Sequence, residues 1–123
     1  MVIDNINLTE CEKIWFENML KSDFLYREEM ILQINHSKVN HEYFGNCISL
    51  KFLVDRKILP MNIHVRVPLE MRVYQNNKPP IQFLLHVING YVDELEVFYA
   101  DSSYIDNGLS IMNDSTIEVI TTN

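Results

Sequence analysis

The alternation of apolar and polar positions is sharpest between Pro80 and Ile105, PIQFLLHVINGYVDELEVFYADSSYI, where two apolar-rich runs flank Asn89-Gly90. Asn-Gly between alternating runs is the strongest short-range signal for a β-hairpin. Ile81, Phe83, Leu85 and Val87 share one face of the first run, and Gln82, Leu84, His86 and Ile88 the other; in the second run Leu95, Val97 and Tyr99 alternate with Glu94, Glu96 and Phe98. Parity then chooses the register. A two-residue turn would set Phe83 against Glu96 and Leu85 against Glu94. An odd-length loop sets Phe83 and Leu85 against Leu95 and Val97, and His86 and Leu84 against Glu94 and Glu96. A slip of one residue turns the whole apolar set to the wrong face, so the pattern predicts a three-residue loop with Gly90 as a left-handed bulge.

Other segments carry weaker periods. Leu8, Cys11, Ile14, Trp15, Met19 and Leu20 recur at helical spacing, which predicts an amphipathic helix capped by Asn7 or Thr9, with Glu10 and Glu12 in its first turn and Trp15 as its anchor on a sheet. Glu12, Lys13, Glu17 and Lys21 fall mainly on the opposite side. Phe24 to Asn35 reads as a second helical segment with Leu25, Met30 and Ile34 inward. Asn35 to His41 reads as a polar connection in which His36 and His41 are solvated. Strands are predicted at Ile48–Val54, from Pro60 through Ile63, Val65 and Val67, at Leu69–Val73, across the hairpin, and at Thr116–Ile120, with Pro68 marking a bulge or edge. The fold class is α+β: one N-terminal helix, or two, packed on an antiparallel sheet of about five strands, in a single domain spanning residues 1–123.

Composition narrows the function. The chain has 123 residues, 47 % hydrophobic and 22 % charged, with a net charge of −7. These values suit a packed domain. The acidic balance argues against direct nucleic-acid binding, which needs a cationic footprint, and suits a basic protein partner. Cys11 and Cys47 stand without CxxC spacing or a His/Cys cluster, which points to free thiols in a reducing cytoplasm. Neither a signal-peptide pattern nor an apolar run near the ~20 residues of a membrane span is visible. A cytoplasmic protein that does not touch the membrane is expected.

The chemistry of known motifs is missing. Three glycines (Gly45, Gly90 and Gly108) are too few and too scattered to cradle a phosphate, and a G-x-S-x-G elbow does not occur. Nothing local joins Cys47 to His86 or His64 as a nucleophile–base pair. Glu94 and Glu96, two apart on one strand face, have a spacing that paired carboxylates use in acid–base work, but a solvated or partner-facing strand face accounts for them as well. His86 beside Glu94 reads as a cross-strand pair. The expectation is no catalytic residue, no metal and no cofactor.

With those residues in view, FLLHVINGYVDELEVFYADSSYI resembles a segment of small bacterial proteins that include immunity proteins of contact-dependent growth inhibition and related polymorphic toxin systems: an apolar strand, His-Val, a Gly-Tyr turn, then Glu-Leu-Glu-Val and Ala-Asp. The likeness spans residues 81–105 and is loose elsewhere; where that motif tends to have glycine after the Asp, this chain has Ser102. The resemblance implies a non-enzymatic cytoplasmic protein that binds and neutralises a cognate toxin C-terminal domain, a nuclease of the tRNase or RNase class, with an acidic surface standing in for phosphate. Toxin-contacting residues differ between systems, so none carries over by match. Charge and facing alone nominate Asp93, Glu94, Glu96, Asp101 and Glu70. The alternative is a small cytoplasmic binding or regulatory domain without catalytic activity.

Overall fold

A computed structural model describes residues 2–122. Two helices, α1 (Glu10–Met19) and α2 (Arg27–Asn35), precede six strands: β1 (Ser37–Tyr43), β2 (Ile48–Val54), β3 (Leu69–Tyr74), β4 (Ile81–Ile88), β5 (Tyr91–Tyr99) and β6 (Thr116–Thr121). They form one antiparallel sheet in the order β1-β2-β5-β4-β3-β6. The α+β class and the helices-first order hold, with six strands in place of about five.

Thr9 opens α1 with a capping box: its hydroxyl accepts from the Glu12 amide at 3.2 Å, and the Glu12 carboxylate accepts from the Thr9 amide at 2.9 Å. Two of the four orphan donors at a helix start are satisfied in this way. Trp15, Phe16, Met19 and Leu20 are buried. Trp15 stands edge-on to Phe83 with ring centroids 5.5 Å apart, and its indole N–H donates to the Leu109 carbonyl at 3.0 Å. The anchor role of Trp15 is as the periodicity implied, but the inward stripe is rotated from the expected one. With Trp15 inward, positions 12, 16 and 19 follow at three- and four-residue steps. Phe16 therefore packs on Phe52, while Ile14 is 47 % exposed. Glu12, expected on the solvent side, is buried at the cap, where its carboxylate also meets His41 Nε2 at 2.9 Å.

Met30, Ile31 and Ile34 bury the inner side of α2, whereas Leu25 precedes the helix and is exposed. Gln33 of α2 is fully buried and clamps the hairpin tip. Its side chain donates to the Gly90 carbonyl at 3.1 Å and accepts from the Val92 amide at 2.8 Å. A buried amide must have such partners to be tolerated.

The hairpin has the expected register by a different route. Asn89 and Gly90, with φ of 52° and 80°, make a two-residue turn that leaves Ile88 opposite Tyr91 and Val87 opposite Val92. A bulge at Asp93 then shifts the ladder, so that His86 faces Glu94, Leu85 faces Leu95 and Phe83 faces Val97. The odd residue demanded by parity sits in the strand rather than in the loop.

Two other expectations fail. The stretch from Asn35 to His41, read as a polar connection, instead runs from the end of α2 into edge strand β1; Lys38 and Glu42 are charged residues of the kind by which natural edges resist pairing with other chains. The segment after Pro60 is not a strand. It runs past the hairpin tip, with the Met61 amide donating to the Gly90 carbonyl at 2.8 Å and the Arg66 carbonyl accepting from Val87 at 2.8 Å. Met61 and Ile63 are buried there. Their alternation reflects an extended chain on an apolar surface, a pattern that a ladder shares.

Candidate functional site on the open face of the sheet

The helices cover only one side of the sheet. Ile48, Leu50, Phe52 and Val54 of β2, Ile81, Phe83, Leu85 and Val87 of β4, Leu95 and Val97 of β5, and Leu69, Met71 and Val73 of β3 are all buried on it. On the reverse side of β2 to β5 the residues are half-buried or exposed, with Ser49 the one buried exception. Pairing places them in rows. Lys51, Glu94 and His86 lie side by side across β2, β5 and β4, and Ser49, Glu96, Leu84, Glu70 and Ile120 form the next row from β2 to β6.

Around the Asp93 bulge these residues close into a polar network. The Ser49 hydroxyl donates to Glu94 Oε2 at 2.5 Å. His86 reaches diagonally: its Nε2 meets the Glu96 carboxylate rather than that of Glu94, its backbone partner. Arg66 Nε donates to His86 Nδ1 at 3.0 Å, and its guanidinium lies 4.0 Å from the Asp93 carboxylate. Arginine has no lone pair to offer, so Nδ1 accepts and the ring proton sits on Nε2, pointed at Glu96. Burial, and after it the Glu96 carboxylate, push the Cys47 thiol above its ordinary range.

The structure therefore brings together three of the five nominated residues, Asp93, Glu94 and Glu96. Glu70 is on the same face, separated from Glu96 by Leu84 in the row. Asp101 lies beyond the other end of β5, exposed, where its carboxylate accepts from the Ser103 amide at 3.0 Å. The Ser103 hydroxyl and amide hold its pKa below the usual carboxylate range. Arg66 and Ser49 carried no signal in the sequence. Each reaches the site by an approach across strands, and Arg66 does so from a segment read as a strand of its own.

The geometry limits the chemistry. The Ser49 hydroxyl is held by the Glu94 carboxylate, and the two ring nitrogens of His86 are engaged by Glu96 and Arg66. One ligand atom from each of His86, Glu94 and Glu96 lies within 4.8 Å of the other two. On the same face Arg72 pairs with Glu118 at 3.5 Å, so that corner is charge-balanced. A groove of about 690 Å3, lined by Ile6, Asn35, His36 and the end of β2, contains no comparable cluster. Among the described residues no helix is long and apolar enough to cross a membrane.

No protein-family model, no curated protein and no solved structure matches this chain.

Proposed function

We propose that the chain is a cytoplasmic immunity protein, which binds and neutralises a cognate toxin domain of the tRNase or RNase class through the open face of its sheet. The supporting observation is the uncovered face itself. A sheet side left without helices is available to a partner, and here its centre carries Asp93, Glu94 and Glu96, with Glu70 two strands away in the row of Glu96. A nuclease must present a basic groove to the phosphate backbone, and carboxylates fixed on a rigid sheet oppose that groove without flexible loops to order. The net charge of −7 adds long-range steering toward a basic partner. Nothing in this role requires turnover.

Co-expression with the toxin domain encoded beside this chain tests the proposal. Growth is rescued by the wild-type chain, and a Glu94→Gln/Glu96→Gln pair weakens binding and flattens its salt dependence. Failure to rescue growth from any neighbouring toxin domain refutes the reading.

A further inference from the structure

We infer that the open face holds a site for a divalent cation of the zinc class, made by His86, Glu94 and Glu96. This goes beyond the partner-binding role and does not rest on it. Three ligand atoms of two kinds, an imidazole nitrogen and two carboxylate oxygens, converge within 4.8 Å of one another. A tetrahedral ion with bonds near 2.0–2.2 Å needs its ligand atoms about 3.4 Å apart. Small rotations of half-buried side chains cover the difference. The bulge at Asp93 creates the convergence: it sets Glu94 directly across from His86 and leaves Glu96 diagonal to it. One carboxylate is already oriented, because Ser49, 1 % exposed, holds Glu94 at 2.5 Å.

The donor set selects the ion. An imidazole suits zinc and its transition-metal neighbours, whereas magnesium and calcium favour oxygen alone. Three protein ligands leave a fourth position for water.

Arg66 governs access. Its bond to Nδ1 keeps the imidazole proton on Nε2, where the ion must bind. To bind, His86 exchanges tautomers: the Nε2 proton is lost to solvent, Nδ1 gains one, and the ring stays neutral with no net proton released. Nδ1–H then repels Arg66, which turns away toward the carboxylate of Asp93, 4.0 Å from it already. Arg66 is 55 % exposed and free to make that turn. Arg66 is thus a competitor of the cation, and removing it strengthens binding. A merely acidic surface makes no such prediction.

Calorimetric titration of the full chain with zinc chloride alone tests this. The expected result is one ion per chain, weakened at least roughly tenfold by each of His86→Asn, Glu94→Gln and Glu96→Gln, since loss of even an outer-shell partner costs that much, and tightened severalfold by Arg66→Met. As a second readout, zinc raises the thermal midpoint of the wild type and of Arg66→Met more than that of Glu96→Gln at the same concentration; melts without zinc verify that each variant folds. The inference is overturned if the wild type takes up no zinc at millimolar concentration. It is equally overturned if His86→Asn binds as well as the wild type, which would assign the ion to His36, His41 or His64, or if Arg66→Met weakens binding.

Discussion

The same strands present two unlike faces. On the helix side, β4 contributes Ile81, Phe83, Leu85 and Val87, all buried under Trp15, Met19 and their neighbours. On the other, the intervening Gln82, Leu84 and His86 stay half-buried, and His86 joins Glu96, Arg66, Glu94 and Ser49 in a polar network. The first face is held by area removed from water, a term that is large and indifferent to partner identity. The second is held by directional bonds between charged groups at the edge of solvent, each of small net worth. Stability therefore resides on one face, and the other remains free to be specialised for binding.

Substitutions separate the two. The largest effect is expected from Trp15→Ala, which empties the space against Phe83 and strands the Leu109 carbonyl; a loss of about 3–5 kcal/mol follows, read from urea denaturation. Next is Gly90→Ala, at the turn from which both faces take their register. Its φ is 80°, and a Cβ would lie 2.3 Å from the Met61 carbonyl oxygen, so about 2–3 kcal/mol is lost in the same assay. Ser102→Gly is a control outside both faces: Ser102 sits at φ 62°, where glycine is unstrained, and a gain of up to about 1 kcal/mol is expected from thermal melts. On the open face, Glu94→Gln and Glu96→Gln each change stability by less than about 1 kcal/mol. A loss as large as that of Trp15→Ala would break the division of labour.

The finest test uses Cys47, whose thiol is raised by burial and by Glu96. The folded chain keeps this proton longer than the unfolded chain does. The resulting stabilisation is whole below the ordinary thiol range and is lost as pH rises from there through the raised value of the folded chain. Cys47→Ala flattens that slope in urea melts, and Glu96→Gln speeds alkylation of Cys47 at a fixed pH. An unchanged alkylation rate would disconnect the thiol from the carboxylate.

Much of the inner face was legible in the chain. The alternation in β2, β3, β4 and β5 marked the buried set, Thr9 was one of two candidate caps, and Trp15 stood at the helical position that meets the sheet. The candidate site was legible only in part. Glu94 and Glu96 announced a shared face by their spacing, and His86 does lie across from Glu94, but its side chain contacts Glu96, and the Ser49 bond to Glu94 comes from 45 residues away.

Sequence alone determined what is repeated over a few residues: which faces are apolar and where the Asn89-Gly90 turn falls. Tertiary structure decided the rest. A polar segment became β1 because Leu50 and Phe52 offered it a ladder, and an alternating segment after Pro60 did not become a strand because its amides and carbonyls are drawn to the hairpin tip. The bulge moved from the loop to Asp93, and Arg66 met His86 from 20 residues upstream. Periodicity records which side of an element avoids water; it carries no record of which distant groups complete its hydrogen bonds.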